Sequence, residues 1–440
     1  MAAVATNEKV SPKGGITMVK KVFFLTVLAL FAAASLGWTS GEKGTGAEEA
    51  GGGKEKFKGE ITIGGLLPLS GDLAVYGQTV QKGITLAVEQ LNEAGGPLGM
   101  QLKVVFRDTQ TDPTALRDSA EKLVNVDKVP AIVGPMIRSD VATPVAAPNH
   151  VVLISPSNTP TWVTTLDDDD YTFRTTASDA IQGKVLGKLA WDRGYRTAAV
   201  LYINDPYGGG LAESTKEWFE KSGGKVLGMA AYDPASVAYK MQLKELAKGN
   251  PDVLVLIGYP ESGIVIIRQA LSDGLFDQFL FPDGMQSEQI IDSIGGDYLE
   301  GMYGTGPGAA DTQSYKNYLA AYEKRFGEKP ATAYTENAYD GVVIIALAIQ
   351  AAGMDAFKVD LGKAVRDNLR KVSNPPGEKV TASVEGFRKA FRLIGEGKDI
   401  DYEGAAGSID FDKFGDTVTP ILIWKIENNT IVPVESVISE

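Results

Sequence analysis

Two kinds of hydrophobic pattern alternate along the chain from Glu60 onward. The first is a short apolar run of strand length. The second is a longer segment in which apolar residues recur every three or four positions, as on one face of a helix. The strand-like runs are 61–67, 102–106, 131–133, 151–154, 197–203, 253–257 and 279–281, with another starting near Val226. The helical patterns cover 80–91, 211–221, 264–271, 312–326 and 338–352. This alternation predicts an α/β fold built from parallel β–α–β units.

The pattern occurs in two successive blocks, which predicts two Rossmann-like lobes. We expect lobe I at 59–175, lobe II at 176–303, a return to lobe I at 304–404 and a return to lobe II at 405–440. No Pro/Ser-rich linker separates the blocks. The hinge candidates are therefore segments of small residues at Thr175-Thr176, Tyr303-Gly304-Thr305 and Gly404-Ala-Ala-Gly407.

The N-terminal 38 residues have the pattern of a secretory signal. Lys20-Lys21 precede an uncharged run over 22–37 that ends in small residues. We expect translation to start at Met18 and the protein to be exported to the periplasm or another extracytoplasmic space. Residues 39–58 form a Gly/Glu/Lys-rich stretch typical of a flexible spacer. Trp38 stands where a bacterial lipoprotein would carry its lipid-bearing cysteine, so a thioether lipid anchor cannot form.

Composition narrows the classes of function. The 440 residues are 44% hydrophobic and 22% charged, which is ordinary for a globular protein. The net charge of −13 opposes binding to nucleic acid. The chain has no cysteine and one histidine, and it lacks a phosphate-binding loop and a nucleophile elbow. We therefore expect no enzymatic activity, no catalytic residue, no cofactor and no metal site.

A possible calcium loop at 410–421 does not meet the requirements of that motif. The positions that should supply oxygen ligands are occupied by Phe414 and Ile421, neither of which can coordinate calcium. We expect a hairpin turn there instead.

Polar and aromatic residues follow the predicted strands at the points where those strands end. The segments 134–139 and 155–159 come directly after two apolar runs. The carboxyl ends of parallel strands are where open α/β sheets bind small molecules. The candidate ligand-binding residues in such positions are Tyr76, Ser139, Thr159, Tyr207, Tyr259 and Asp283. Hydroxyl groups, one carboxylate and three phenol rings suit a zwitterion with an apolar tail.

From about Phe57 to the C-terminus the chain resembles the periplasmic leucine/isoleucine/valine-binding protein family, the substrate-binding components of ABC importers. The residues that carry the resemblance are Leu67-Pro-Leu-Ser-Gly71, Tyr76-Gly77, Gly134-Pro135, Ile154-Ser-Pro-Ser157 with Thr159, Tyr207-Gly208 and Ala406-Gly-Ser-Ile-Asp-Phe-Asp412. The resemblance implies a type I periplasmic binding protein fold, in which three hinge crossovers join two lobes that close over the ligand.

The resemblance also implies roles for the candidate residues. Ser139 and Thr159 would bind an α-carboxylate, and Asp283 would face an α-ammonium with help from Thr159 and a carbonyl near Ser157. Tyr76, Tyr207 and Tyr259 would form the walls of the side-chain pocket, with Arg138, Met136 and Ser157 as secondary candidates. The family usually has serine at the position of Arg138, so either Arg138 or Ser139 could meet the carboxylate.

The expected function is therefore that of an extracytoplasmic receptor for a small, branched-chain or otherwise apolar amino acid. We expect a monomer that delivers its ligand to separate ABC permease and ATPase subunits. One alternative is the same fold binding an amide, a urea or an aromatic carboxylate. A second is a sensor that binds without transport. A third is a secreted hydrolase using Ser139 or Asp283, which the absence of an accompanying base disfavours.

Overall fold

The computed structural model describes residues 57–308 and 311–437. The predicted signal at 1–38 and residues 39–56 of the predicted spacer lie outside the described residues. Fourteen strands are described: β1 Glu60–Leu67, β2 Gln101–Asp108, β3 Ala131–Val133, β4 Val152–Ser155, β5 Thr172–Arg174, β6 Thr197–Ile203, β7 Lys225–Tyr232, β8 Val253–Ile257, β9 Phe279–Phe281, β10 Tyr303–Pro307, β11 Glu378–Thr381, β12 Ile400–Glu403, β13 Ile421–Glu427 and β14 Thr430–Val437.

Helices follow most of these strands, as the alternating pattern predicts. The helices of the described residues are α1 Ala74–Glu93, α2 Pro113–Asn125, α3 Ser139–Ala146, α4 Asp179–Asp192, α5 Pro206–Lys221, α6 Lys240–Leu246, α7 Pro260–Ser272, α8 Glu288–Ile294, α9 Gln313–Phe326, α10 Thr335–Ala352, α11 Ala356–Val359, α12 Leu361–Ser373 and α13 Val384–Gly395. Short 3₁₀ helices lie at Pro97–Gly99, Ala147–Asn149, Thr161–Thr165, Asp283–Met285 and Gly296–Tyr298. In this part of the chain, no helix combines the length and the apolar character needed to cross a membrane.

The strands form two large sheets, which define two lobes. Lobe I contains a parallel five-stranded sheet of order β2-β1-β3-β4-β5. Lobe II contains a seven-stranded sheet of order β14-β13-β10-β9-β8-β6-β7, in which only β13 runs antiparallel to its neighbours β10 and β14. A parallel pair, β11 and β12, forms a small third sheet. The predicted α/β class with two mainly parallel sheets is confirmed.

Four predicted strands agree with the structure to the residue, whereas α1, α5, α7 and α10 begin three to six residues earlier than the pattern indicates. The runs at 131–133, 197–203, 253–257 and 279–281 are the strands β3, β6, β8 and β9. Helix α5 begins five residues before the apolar stripe at 211–221, because Asp205 caps it and Pro206 occupies its first turn. An apolar stripe marks only the buried middle of a helix. Its first turn often carries polar or ligand-facing residues instead.

The chain crosses between the two lobes at 175–178, between β10 and α9, and at 404–420. Strand β10 pairs with β13 over its whole length and with β9 at Tyr303 and Gly304, so the predicted change of lobe between 303 and 304 falls inside a strand of lobe II. The predicted hairpin at 410–416 is wrong. It is a turn closed by N–H groups that bond to Asp412, and the strands on either side, β12 and β13, belong to different sheets.

Helix α10 fixes two of these crossovers from the core of lobe I. The side chain of Asn337 donates to the carbonyl of Thr175, and the Thr175 hydroxyl donates to the carbonyl of Asn337 at 2.8 Å. Three residues further along the helix, the buried Asp340 carboxylate accepts from the backbone N–H groups of Ala405 and Ala406, each at 2.8 Å. Two connections that are far apart in sequence are therefore attached to one rigid helix.

We expect the substitution Asp340→Asn to destabilise the fold. The carboxylate accepts from Tyr402 as well as from the two backbone N–H groups, and an amide would direct its own N–H bonds at one of these donors. A buried donor left without an acceptor costs about 1–3 kcal/mol, which urea unfolding can measure. Asp355→Asn is the matched control, because that side chain is 92% exposed.

The same pair of proteins gives a pH test. Burial raises the pKa of Asp340 from its ordinary 3.8 to about 7, so the folded state binds the proton more tightly than the unfolded state. Asp340 therefore lowers the free energy of unfolding as pH rises from about 4 to about 7, and its contribution is constant outside that window. The stability difference between the wild type and Asp340→Asn should shrink over this range. A constant difference would contradict the assignment.

Candidate functional site

A cavity lies where the carboxyl ends of strands from the two sheets face each other. About 520 Å³ of space around it is free of protein atoms, and this volume includes open solvent at its mouth. Its lining residues follow β3, β4, β6, β8 and β9 or lie at the start of α1 and α10: Leu73, Tyr76, Met136, Ile137, Arg138, Ser157, Asn158, Thr159, Pro160, Trp162, Asp205, Pro206, Tyr207, Tyr259, Asp283, Gly284 and Tyr334. Both lobes therefore contribute to one site, at the edge where open α/β sheets bind ligands.

On the lobe I side, the loops after β3 and β4 are bonded to each other. The hydroxyl of Ser155 donates to the carbonyl of Pro135 at 2.6 Å, and that of Ser157 donates to the carbonyl of Met136 at 2.8 Å. Gly134 begins the first loop with a φ of 121°, and a side chain there would meet the carbonyl of Leu66. Only glycine fits this turn, which brings the two loops side by side.

Ser139 lies behind this surface and is not among the residues that line the cavity. Its side chain is fully buried, and its hydroxyl accepts a hydrogen bond from the amide of Asn158. Asn158 itself lines the cavity. The structure thus places Ser139 as a support for the loop that carries Thr159, and its predicted contact with a ligand carboxylate stays a prediction.

Arg138 lines the cavity, but its guanidinium is already paired. It donates to both carboxylate oxygens of Asp140, at 2.9 and 2.8 Å. These hydrogen bonds raise the pKa of Arg138 above its ordinary value. The residue has a left-handed backbone with φ of 62°, directly before α3. This conformation turns the chain so that Arg138, rather than the following Ser139, is exposed to the cavity.

On the lobe II side, two tyrosine rings form a wall. Tyr207 and Tyr259 stack with ring centroids 5.7 Å apart and planes 10° from parallel. The hydroxyl of Tyr259 donates to Asp205 at 3.1 Å, and the other oxygen of Asp205 accepts from the N–H of Gly208 as the cap of α5. Burial raises the pKa of Asp205, and these hydrogen bonds counteract the increase. The hydrogen bond to Asp205 thus holds the ring of Tyr259 near the end of strand β6.

Asp283 is the most heavily bonded carboxylate of the cavity. One oxygen accepts from Gln182 at 2.7 Å and from Tyr207 at 2.9 Å, and the other accepts from the hydroxyl of Tyr334. The side chain is 4% exposed. Burial raises the pKa of Asp283, while the three hydrogen bonds lower it in part. A buried carboxylate in this position is a strong acceptor for a positively charged group.

Two tyrosines connect the lobes across the cavity. Tyr76, at the start of α1 in lobe I, donates to the carbonyl of Asp283 at 3.0 Å, with the carbonyls of Gly284 and Gln286 each at 3.2 Å. Tyr334 precedes α10 in lobe I and bonds to the Asp283 carboxylate in lobe II. Burial raises the pKa of both phenols well above 10, so they act as neutral donors.

The structure brings eight of the nine sequence-predicted residues to this cavity: Tyr76, Met136, Arg138, Ser157, Thr159, Tyr207, Tyr259 and Asp283. Sequence reasoning missed Tyr334 and Gln182. Tyr334 lies four residues before the predicted helix at 338–352, so a search of helix starts as well as strand ends could have found it. Gln182 lies within α4 and has no local signal.

A further carboxyl group, that of Asp179, lies beneath the site. It is fully buried, and burial raises its pKa well above the ordinary value, with the charge of Asp283 raising it further. Over residues 57–308 and 311–437, no cluster of three or more potential ligands could hold a metal ion.

The sequence matches the model of a periplasmic binding protein family over residues 60–394. It is 33% identical over 306 residues to the leucine-, isoleucine-, valine-, threonine- and alanine-binding protein of Pseudomonas aeruginosa, covering 68% of this chain and 80% of that protein. It is 28% identical over 376 residues to the chemotactic signal transduction system substrate-binding protein BasB of Halobacterium salinarum, covering 83% and 87%.

Among solved structures, the chain is similar to the substrate-binding protein LivJ of a branched-chain amino acid transporter from Streptococcus pneumoniae, determined in complex with isoleucine. The TM-score is 0.71 at 25% identity, and the match covers 86% of this chain and 99% of LivJ.

We expect Asp283→Asn to weaken strongly the binding of ligands that carry an ammonium group. Removing one partner of a buried charge pair costs 2–5 kcal/mol, so the dissociation constant of an amino acid should rise about 30-fold or more. Isothermal titration calorimetry measures this change. Asp127→Asn is the matched control, since Asp127 pairs with Arg107 and does not line the cavity. Retained affinity in Asp283→Asn would remove Asp283 from the ligand contacts.

The substitution Arg138→Asn tests whether Arg138 binds the carboxylate of the ligand. Asparagine tolerates the left-handed backbone at this position, so the loop should keep its shape. Because Asp140 already neutralises Arg138, we expect amino-acid affinity to change by less than about threefold, about 0.6 kcal/mol. Complete loss of binding, with an unchanged melting temperature, would instead make Arg138 the residue that binds the ligand carboxylate.

Proposed function

The chain belongs to the periplasmic binding protein family, and we propose that it is the extracytoplasmic receptor of an ABC importer for branched-chain or similarly apolar amino acids. In this proposal the ligand binds in the cavity between the lobes and is handed to separate permease and ATPase subunits. The protein is an ABC transporter solute-binding protein and not an enzyme. The ligand, the closing motion and the transporter partners are the proposed parts.

The observation that carries the proposal is the buried carboxylate of Asp283 beside an apolar cavity. An α-ammonium group would find there an acceptor surrounded by neutral donors, and charge-assisted hydrogen bonds formed away from water are among the strongest in proteins. The other end of an amino acid would face the loop that carries Thr159, which is 1% exposed and lines the cavity. The two ends of a zwitterion thus have separate partners.

The remaining walls favour an apolar side chain. Leu73, Met136, Ile137 and Pro160 line the cavity from lobe I, opposite the stacked rings of Tyr207 and Tyr259. Burying an aliphatic side chain among such groups stabilises a complex by about 1.5–3 kcal/mol. An acidic ligand side chain would lose its hydration against these walls without a free partner, because Arg138 is bonded to Asp140. A basic one would have to compete for Asp205 with the hydroxyl of Tyr259 and the N–H of Gly208. Branched-chain amino acids meet both conditions.

The cross-lobe hydrogen bonds support ligand-dependent closure. Tyr76 and Tyr334 reach from lobe I to the segment after β9 in lobe II, so the lobes are held together on the same residues that would bind the ammonium group. A ligand that contacts both lobes favours the closed state by its extra contacts there. Closure therefore depends on ligand chemistry at Asp283.

A second candidate function is chemosensory. The relative named for chemotactic signal transduction covers 83% of this chain, so the same architecture is compatible with a receptor that reports an amino acid without transporting it. The two functions share the binding site and differ in the membrane partner. Reconstituted uptake with the neighbouring permease and ATPase, with and without this protein, distinguishes them.

The test is calorimetric titration of the protein from residue 39 onward with the twenty amino acids, then with simple amides, urea and benzoates. We expect leucine, isoleucine or valine to bind with a dissociation constant near 1 μM, about −8 kcal/mol. Glutamate and lysine are the matched controls for charge and should bind at least about 100-fold more weakly, which is about 2.7 kcal/mol. Binding of a benzoate or an amide, with no response to any amino acid, would keep the fold and overturn the ligand.

A further inference from the structure

The side chain of Arg174 lies fully buried next to the loop that carries Thr159, although it does not line the cavity. Its guanidinium forms two hydrogen bonds to the Asp416 carboxylate, at 2.6 and 2.7 Å. It also donates to the carbonyls of Thr159 at 2.9 Å and Pro160 at 3.1 Å, and to the hydroxyl of Thr164 at 2.8 Å. All three guanidinium nitrogens therefore donate hydrogen bonds within the protein.

We propose that Arg174 is a positioning residue for the carboxylate end of the ligand. It binds the far side of the loop at 158–164, of which Asn158, Thr159, Pro160 and Trp162 line the cavity. Two consecutive carbonyls on one guanidinium nitrogen fix the orientation of both peptide planes, which in turn fixes where Thr159 presents its polar groups. This inference rests on the proposed function, because it gives Arg174 a role in the same binding site.

The partner of Arg174 comes from a distant part of the chain. Asp416 belongs to the crossover at 404–420, and the Thr164 hydroxyl donates to it at 2.6 Å. The backbone N–H of Arg174 donates to the carbonyl of Gly415 at 2.9 Å. The ligand loop, the end of β5 and the third crossover are therefore one connected unit, so a movement of the crossover between lobes is transmitted to the ligand loop.

The ion pair with Asp416 also separates the charge of Arg174 from its geometry. Asp416 compensates its charge, so the net field at the cavity is small, and the contribution to the ligand is geometric. A lysine would keep the charge but lacks the planar fork that binds a carboxylate, two carbonyls and a hydroxyl together. Arg174→Lys therefore separates geometry from charge.

The test compares leucine with leucinol, which retains the ammonium group and side chain but has no carboxylate. Calorimetry gives the ratio of their affinities in the wild type, in Arg174→Lys and in Arg107→Lys. Arg107 forms a two-bond pair with Asp127 away from the cavity, so it is the matched control for loss of an Arg–Asp pair. We expect the preference for leucine to fall about tenfold or more in Arg174→Lys and to stay within about twofold in Arg107→Lys.

A role in stability alone predicts a different result, namely a lower melting temperature with an unchanged leucine-to-leucinol ratio, and that outcome would overturn the proposal. Should Arg174→Lys not fold, Asp416→Asn provides the second variant. This substitution weakens the hydrogen bonds to Arg174 while keeping a side chain of the same shape. The ratio of leucine to leucinol affinity should therefore fall by a smaller factor than in Arg174→Lys. An unchanged ratio in a folded Asp416→Asn protein would also count against the positioning role.

The ligand-free protein gives an independent readout. Hydrogen exchange of the amides at 158–166 should be faster by about tenfold or more in Arg174→Lys than in the wild type, with no such change in Arg107→Lys. If the wild type binds no amino acid, the proposed function fails, and the exchange result still decides whether Arg174 fixes the loop. Equal exchange in all three proteins would overturn the inference whatever the ligand.

Discussion

The site depends on the burial of one carboxylate, that of Asp283. A carboxylate removed from water is costly unless hydrogen bonds replace its hydration. Gln182 and Tyr207 supply such bonds from lobe II, and Tyr334 supplies one from lobe I. Two of these donors, Tyr207 and Tyr334, also line the cavity. The shape of the site and the relation between the lobes therefore follow largely from the bonding requirement of a single side chain.

Helix α10 links that requirement to the crossovers. Tyr334 directly precedes the helix and bonds to Asp283, Asn337 bonds to the first crossover and Asp340 bonds to the third. These three residues are spaced three apart, so they lie close to one face of the helix. The helix is buried along most of its length, which gives these contacts a rigid base. The candidate site and two of the crossovers are thus bonded to one structural element.

Under the proposed function, the cavity would favour a ligand with one positive group, one negative group and an apolar side chain. Arg138 is paired with Asp140, and aliphatic side chains and the rings of Tyr207 and Tyr259 stand beside the polar residues of the lining. This agrees with membership of a family of periplasmic binding proteins, several of whose members are named for leucine, isoleucine and valine. Transport and chemosensing would use the same recognition chemistry, and the difference between them lies outside the cavity.

Local sequence patterns were enough to predict the fold class, several strands and most of the candidate site. The strands β3, β6, β8 and β9 were found to the residue, because a short buried strand is a local apolar run. Polar residues after those strands could be assigned to one sheet edge, since parallel strands end together. Eight predicted residues line the cavity for this reason.

The contacts between distant segments became visible only in the folded chain. Tyr334 and Asp283 are 51 residues apart, and Arg174 and Asp416 are 242 residues apart, so no local pattern could pair them. The choice between Arg138 and Ser139 depended on a single left-handed backbone conformation, which exposes the first side chain to the cavity and leaves the second buried beneath Asn158. Local periodicity specifies which face of an element is buried. Which partner meets a buried polar group depends on how the whole chain folds.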